Sequence, residues 1–398
     1  MNYCKVFLKP KKEESMLRFH PWVFSGAIAS IKGKPEEGDC VEVYSSDNKF
    51  LGIGLYQIGS ITVRILSFQP VVIDKAFWIE KIRTAYVMRC ALGLTESANH
   101  TIYRLIHGEG DCLPGLIIDI YGSTAVIQAH SVGMHHVRKM IAEALTEVMG
   151  SSLQHIYYKS EGTLPFKAML ENENENEYLL GGDTGNDHIA IEQGLQFHID
   201  WLKGQKTGFY IDQRDNRMLL EHYAFNRCVL NMFCYTGGFS VYAMRGGARM
   251  VHSVDSSAKA ISLTHKNIEM NFPGDQRHKA FAEDAFGYLE KMENRYDLII
   301  LDPPAFAKHQ NVLRNALTGY RKLNAIAIEK IKPGGILFTF SCSQVVSKND
   351  FRLTVFSAAA QAGRHVRILH QLSQPADHPI NIYHPEGEYL KGLVLYVE

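Results

Sequence analysis

The stretch "CVLNMFCYTGGFSVYAMRGGARMVHSVD", Cys228 to Asp255, decides the fold. Its opening apolar run, Cys228 to Cys234, reads as a short buried strand, and the Gly237-Gly238 pair follows it. A helical segment leads to a second short strand, "MVHSVD", which ends on an acid. The alternation continues with the strands "YDLIILD", Tyr296 to Asp302, and "GILFTFS", Gly335 to Ser341. Short apolar strands separated by helices predict a doubly wound, mostly parallel α/β sheet. The tail "EYLKGLVLYVE", Glu388 to Glu398, is expected to add a last strand, antiparallel and at an edge.

Ligands of such sheets bind beyond the carboxyl ends of the strands. Four of those ends carry polar punctuation here. After the first strand come Phe233, Tyr235 and the Gly237-Gly238 pair, where missing Cβ atoms let backbone approach a ligand. The spacing is not GxGxxG, and no second glycine pair stands in this turn to cradle a pyrophosphate, which favours a nucleoside without phosphates. The second strand ends in Asp255-Ser256, roughly 20 residues on, where a carboxylate can accept from two ribose hydroxyls. The turn "FAEDAFGYL" brings Asp284 and Ala285 to the position of an adenine amino group. An Asp that merely caps a turn is the plainer account of each carboxylate alone, but three in order along one alternating pattern argue for a site.

The fourth end, "LDPPAFAK", has two prolines that fix φ and remove two donors. Asp302 and the Pro303 and Pro304 carbonyls then form a rigid acceptor-rich rim suited to a planar base, with Phe306 and Lys308 just beyond. Phe306 suits either base stacking or core packing. "FTFSCSQ" places Cys342 between two serines at a strand tip, where α/β enzymes carry reacting groups and where an ordinary thiol also fits.

At 398 residues the chain is too long for one compact core, and two or three domains are expected. Residues 1–70 hold short strand runs such as "CVEVYS" and "ITVRILSF", a β-rich domain. Residues 71–190 read as an α+β middle domain, with a helix over "KAFWIEKIRTAYVMRCALG" stopped at Gly93 and a hairpin around Tyr121-Gly122. A second helix is expected near His136 to Met149, and an exposed acidic loop or linker at 171–187. Residues 191–398 carry the doubly wound domain.

The formal charge of zero speaks against a protein that coats nucleic acid non-specifically. From Met1 to Lys34, however, Lys5, Lys9, Lys11, Lys12, Arg18, Lys32 and Lys34 face only Glu13 and Glu14, a small basic surface able to meet phosphate. Seven cysteines without CxxC spacing argue against a disulfide framework or a zinc ribbon and for reduced thiols in the cytoplasm. No apolar run spans a bilayer, and the start lacks a secretory core. "GMHHVRK" lacks a third ligand and reads as surface histidines, so no metal is expected. "KGQKTGFY" lacks the upstream glycine of a phosphate loop.

The stretches "RFHPWVFSGAI", "RLIHGEGDCLPGLIID", "GQKTGFYIDQRDNR", "FCYTGGFSVYA", "LDPPAFAK", "FTFSCS" and "ADHPINIYHPEGEYLKG" together resemble the RlmI-type large-subunit ribosomal RNA cytosine-C5 methyltransferases. The resemblance covers nearly the whole chain. It implies an amino-terminal PUA RNA-binding domain, a middle domain and a Rossmann-like class I methyltransferase domain that uses S-adenosylmethionine. It also implies that Tyr210, Gln213 and Arg214 close over that cofactor, that Asp302 lies at cofactor and cytosine alike, and that Cys342 is the nucleophile. The implied partner is large-subunit rRNA, with no membrane and with a homodimer left open.

A cysteine suits this chemistry because cytosine C5 is a poor nucleophile. A thiolate adding at C6 breaks the aromatic system and pushes electron density onto C5, dividing one hard step into easier ones. An ordinary thiol, with a pKa near 8.5, is only a few per cent ionised at neutral pH, so the site is expected to favour the thiolate. Other cytosine-C5 RNA enzymes carry a second cysteine where this chain has Ala305, which leaves the base that removes the C5 proton unnamed. Two rivals remain: methylation of an exocyclic amine over the "DPPAF" turn, and an RNA-binding protein with a decayed methyltransferase fold.

Overall fold

The computed structural model describes residues 3–95, 97–164, 176–183, 188–293 and 295–398. The chain divides into two compact units. One comprises Met1–Gly194, Ile199–Ile211 and Ala376–Gly387, and the other Leu195–His198, Asp212–Pro375 and Glu388–Glu398.

The first unit begins with strand β1 (Cys4–Leu8), the short helix α1 (Glu14–Leu17), and strands β2 (Trp22–Phe24), β3 (Ile28–Lys32), β4 (Cys40–Tyr44), β5 (Phe50–Tyr56) and β6 (Ile61–Ser67). They form a six-stranded sheet in the order β2-β6-β5-β4-β1-β3. Alternate residues of these strands, among them Val6, Leu8, Val41, Val43, Val63 and Ile65, close a small core with Met16. Gly54 allows β5 to approach β6, because a Cβ there would stand 2.1 Å from the Arg64 carbonyl oxygen.

Helix α2 (Lys75–Ala91) follows, started by the Asp74 carboxylate on the Phe77 amide and stopped at Gly93, whose φ is +69°. Strands β7 (Ile102–His107), β8 (Leu116–Tyr121) and β9 (Thr124–Ala129) lead to helices α3 (Val132–His136) and α4 (Arg138–Met149). Strands β10 (His155–Lys159), β11 (Asn176–Leu180) and β12 (Ile189–Glu192) complete the unit. The five-stranded sheet runs β11-β10-β9-β8-β7, and Tyr121 pairs with Thr124 across the expected hairpin. Within the stretch expected as an acidic loop, Asn176–Leu180 is instead edge strand β11, with Tyr178 opposite Tyr157. Residues 181–183 are irregular and largely exposed, as a loop would be, and 171–175 and 184–187 lie outside the described residues.

The second unit contains β13 (Leu195–His198), α5 (Arg214–Tyr223), β14 (Cys228–Met232), α6 (Gly238–Arg245), β15 (Met250–Asp255), α7 (Ala258–Asn271), β16 (His278–Ala282) and α8 (Ala285–Lys291). It continues with β17 (Leu298–Leu301), α9 (Leu313–Lys330), β18 (Gly335–Ser341), α10 (Lys348–Ala362), β19 (Val366–Leu372) and β20 (Lys391–Val397). Its seven-stranded sheet runs β16-β15-β14-β17-β18-β20-β19. The first five strands are parallel, and β20 is antiparallel to both neighbours. This is the expected doubly wound sheet, and its winding reverses between β14 and β17.

The tail strand is corrected in one respect. β20 lies between β18 and β19 rather than at the edge, because β19 pairs outside it. Its residues are accordingly buried, apart from half-buried Tyr396, as two covered faces require. Leu230, Met232, Ile299, Leu301 and Leu337 pack against Leu289, Tyr320, Leu323, Ile328, Phe351 and Val355 of the helices. Each such side chain contributes about 1.5–3 kcal/mol of burial. No helix among the described residues is long and apolar enough to cross a membrane.

Candidate active site

The parallel register brings the carboxyl ends of β14, β15, β17 and β18 to one side of the sheet. Met232 lies level with Val254 and Leu301, and Leu301 level with Thr339. The Phe233–Gly238 turn, Asp255, Asp302 and Cys342 therefore all leave the sheet on that side.

The turn after β14 is held in an unusual conformation. Phe233, Tyr235 and Gly237 have φ values of 57°, 48° and 79°, in the left-handed region that non-glycine residues rarely occupy. The surroundings fix it. The Tyr235 amide donates to Asp255 Oδ2 at 3.0 Å, Thr264 Oγ1 donates to the Tyr235 carbonyl at 2.9 Å, and Asn267 Nδ2 to the Thr236 carbonyl at 2.8 Å. A Cβ on Gly237 would lie 2.6 Å from Thr264 Cγ2. The glycine is thus required by close packing on α7, a reason the sequence does not disclose. Gly238, at ordinary φ, begins α6.

Asp255 is half-buried, and its Oδ1 accepts from the Ser257 amide at 2.9 Å. Each carboxylate oxygen takes one backbone bond and retains a second lone pair. Ser256 beside it is exposed. Asp284 caps α8, its Oδ1 accepting from the Gly287 amide at 2.8 Å, and Ala285 is buried behind it. Gln213 and Arg214 are buried at the start of α5, where Gln213 Oε1 accepts from Asn216 Nδ2 at 2.6 Å. Asp212 Oδ2 accepts from the Tyr389 hydroxyl at 2.8 Å. Tyr210 belongs to the first unit, where its hydroxyl donates to Gln205 Oε1 at 2.6 Å.

The other two ends form the reactive half. Ser341 and Ser343 are buried: Ser341 Oγ donates to the Tyr320 hydroxyl at 3.0 Å and Ser343 Oγ to the Ala307 carbonyl at 2.5 Å. The serines thus anchor the strand tip. Cys342, between them, is half-buried, with Sγ 4.0 Å from the Pro303 carbonyl oxygen. Asp302 is half-buried, Pro303 buried, and Pro304 and Lys308 exposed.

Phe306, a candidate for stacking on a base, has its ring 4.5 Å from Tyr320, 6.4 Å from Phe286 and against Gly319. Those contacts make it part of the packing. The nearby Cys234 thiol is buried and pushed up to about 12 by desolvation and the Asp255 charge, which leaves it protonated at neutral pH.

Lys391 was not singled out from sequence. It opens β20 opposite Ser341, is 5 % exposed, and donates to the Ser343 and Val346 carbonyls at 2.6 and 2.8 Å. A lysine heading an otherwise apolar strand was the available signal. A cavity of about 300 Å³ adjoins it, lined by Lys348, Arg352, Gln371 and Ser373 among others.

In the first unit, Thr207 of the rejected phosphate-loop stretch is buried and donates to Asp119 Oδ2 at 2.6 Å, a structural role. His135, expected at the surface, is instead fully buried and hydrogen-bonded to the Tyr158 hydroxyl at 2.6 Å, while His136 is exposed. Helix α3 turns its His135 side into the core. His20, His384 and Glu386 bring ligand-type atoms within 4.8 Å of one another. His20 Nδ1 lies 3.2 Å from the Trp22 amide nitrogen, and His20 Nε2 and His384 Nε2 lie 3.5 and 3.7 Å from Glu386 Oε2.

The doubly wound sheet with an acid-tipped second strand is the architecture of the class I methyltransferases. The family model "S-adenosylmethionine-dependent methyltransferase" matches residues 103–383, and a PUA-like domain matches 6–68. The chain belongs to the ribosomal RNA large subunit methyltransferase I family. The protein of that name from Aeromonas hydrophila is 38% identical, covering 98% of this chain and 99% of that protein. The one from Pseudoalteromonas atlantica is 40% identical, covering 99% of each. Among solved structures, a protein from Streptococcus mutans assigned to the SAM-dependent methyltransferases superposes with a TM-score of 0.83 at 23% identity, over 99% of this chain and 100% of that one. A methyltransferase complexed with SAH gives 0.85 at 23% identity, over the same shares.

S-adenosylmethionine is the cofactor of this family, and the residues present fit it. The Asp255 carboxylate is oriented by two backbone amides with lone pairs to spare for a ribose diol, and the adjoining turn offers backbone without a phosphate cradle.

Proposed function

We propose that this chain methylates C5 of a cytosine in large-subunit rRNA through a transient bond between Cys342 Sγ and C6. The rRNA substrate is supported by the names of full-length relatives. Bound S-adenosylmethionine supplies an electrophilic methyl group on a sulfonium. Its holding falls to Gly237, Gly238, Phe233, Tyr235, Asp255, Ser256, Asp284, Ala285, Gln213 and Arg214, with Asp302 alongside.

One observation carries the mechanism. Of the thiols in the second unit, Cys228 and Cys234 are buried, and Cys342 alone is partly accessible, at the strand end beside the Pro303 carbonyl. An internal base must leave its stack before a thiol reaches C6. The Pro303 and Pro304 carbonyls suit the cytosine amino group, and a protonated Asp302 would donate to the N3 side of the adduct. Sulfur adds to C6 and density moves to C5, which would take the methyl group that S-adenosylmethionine supplies; loss of the C5 proton and expulsion of the thiolate then restore the ring.

The test is Cys342→Ala with methylated RNA read by base-resolved mapping. The expected result is a 5-methylcytosine in the wild type and a fall in turnover of roughly three orders of magnitude or more in the variant, with cofactor affinity retained. A variant that keeps most activity, with the methyl group on an exocyclic amine, would overturn the covalent reading.

A further inference from the structure

Lys391 is the buried cation nearest in register to the proposed nucleophile. It stands opposite Ser341 across the β18–β20 ladder, one residue before Cys342. Its Nζ donates to two carbonyls of the turn that follows Cys342, those of Ser343 and Val346. An ammonium has three donors, and these bonds use two. A charge at 5 % exposure is costly to hold against neutral carbonyls alone, so an anionic partner is expected of the site.

We propose that Lys391 is a positioning residue for Cys342: it clamps the 343–346 turn so that the sulfur faces the Pro303 side, and it pairs with the thiolate. The inference rests on the assignment of Cys342 as nucleophile. Burial pushes the Lys391 ammonium down to about 8, and the Cys342 charge acts against that fall, as a facing anion does.

The other groups facing this pair are few. Glu388 and Lys348 flank Lys391 and are ion-paired with each other. Tyr320 on α9 is pushed up to about 12 by burial, with Cys342 and Asp302 adding to the rise, so it stays neutral. An ionised Asp302 would oppose a thiolate. Lys391 supplies the compensating positive charge.

The proton balance is simple. When Lys391 is a neutral amine, the Cys342 S–H bond breaks and an N–H bond forms, giving an ammonium–thiolate pair of zero net charge. When Lys391 is already charged, the thiol proton leaves to solvent. Either way sulfur adds to C6 as an anion, and expulsion of the thiolate returns the same pair.

The experiment is the pH dependence of Cys342 alkylation by iodoacetamide in the full chain with S-adenosylmethionine bound, read at the Cys342 peptide by mass spectrometry. The wild-type midpoint should lie below the ordinary thiol value of about 8.5. A midpoint at or above it overturns the proposal without any variant. Lys391→Met should raise the midpoint by about one to two pH units. Single-turnover methylation at pH 7 should fall about tenfold per unit, recovering as pH is raised. Lys391→Arg should stay near the wild type. An unmoved midpoint, or an equal loss of rate at every pH, would leave Lys391 only a structural clamp and overturn the pairing. If Lys391→Met fails to bind cofactor, Lys391→Gln takes its place beside Lys391→Arg. An active Cys342→Ala enzyme would sink the nucleophile assignment, whereas alkylation still reports the ion pair.

Discussion

The thiol of Cys342 and the carbonyl oxygen of Pro303 face each other at 4.0 Å across the neighbouring ends of β18 and β17. The contact joins two turns, each rigid for its own reason: Ser341 and Ser343 tie one to Tyr320 and Ala307, and two fixed proline φ angles hold the other. A flat pyrimidine lodged against the Pro303 side would have its ring edge beside the sulfur. Preorganisation of this kind lowers the entropic cost of bringing sulfur and carbon together.

Covalent chemistry at that point predicts a trap. RNA carrying 5-fluorocytidine at the target lacks the C5 proton whose loss releases the enzyme. Wild-type protein with S-adenosylmethionine should form a complex stable in denaturing gels, at one protein per target site. Cys342→Ser should form none. A trapped complex in the serine variant would place the bond on another residue.

The turn after β14 predicts a contrast between adjacent glycines. Gly237→Ala forces an L-residue to φ +79° and drives its Cβ to 2.6 Å from Thr264. The cost should be about 2–3 kcal/mol, with weakened cofactor binding. At Gly238 the nearest atom is the flexible Arg217 side chain at 3.1 Å and φ is ordinary, so alanine should cost less than about 1 kcal/mol. Urea unfolding and calorimetric titration with S-adenosylmethionine measure both. Equal losses would show that the tight turn is not what Gly237 serves.

What the sequence displayed followed burial. Strands β14, β17 and β18 are covered on both faces, so they read as unbroken apolar runs, and the acids, prolines and cysteine at their ends stood out. The strands β11, β16 and β19 all lie at sheet edges, where "NEYLL", "HKAFA" and "VRILHQL" mix polar and apolar residues without such a run. Missing β19 is what misplaced the tail. Lys391 escaped notice for a related reason: a lysine beginning a strand resembles an ordinary edge charge, and only the register with Ser341 brings it to the site. Tyr320, Thr264 and Asn267 are helix residues whose bonds to the turns are non-local, with no trace in spacing.

The first unit offers a test of buried charge. Arg89, fully buried, makes paired bonds to Asp111, with Nη2 to Oδ2 at 2.8 Å, and reaches the Asp377 carbonyl at 2.9 Å. Arg89→Met strands the Asp111 carboxylate and should cost about 3–5 kcal/mol in thermal or urea unfolding. Adding Asp111→Leu should recover a large part of that loss, since an apolar pair carries no desolvation penalty. A double variant no better than the single one would show that the loss lies in packing and not in the stranded charge.

Acid should destabilise the second unit through His252. This residue is buried on β15, with Nδ1 2.7 Å from the Tyr296 hydroxyl. Burial, with Arg295 and Lys279 adding, pushes its ring down to about 4, so the folded chain holds it neutral. Unfolded, it titrates near 6.5. Between those values the unfolded state binds the extra proton, so stability rises with pH across the window and falls as pH drops from 6.5 towards 4. His252 alone then accounts for up to about 3 kcal/mol, at 1.36 kcal/mol per unit. His252→Asn keeps an acceptor near the Nδ1 position and removes the titration. Urea unfolding at pH 7, 6, 5 and 4.5 should give a shallower loss for the variant than for the wild type. Parallel curves would mean that the charged ring is accommodated and that other groups govern the acid limb.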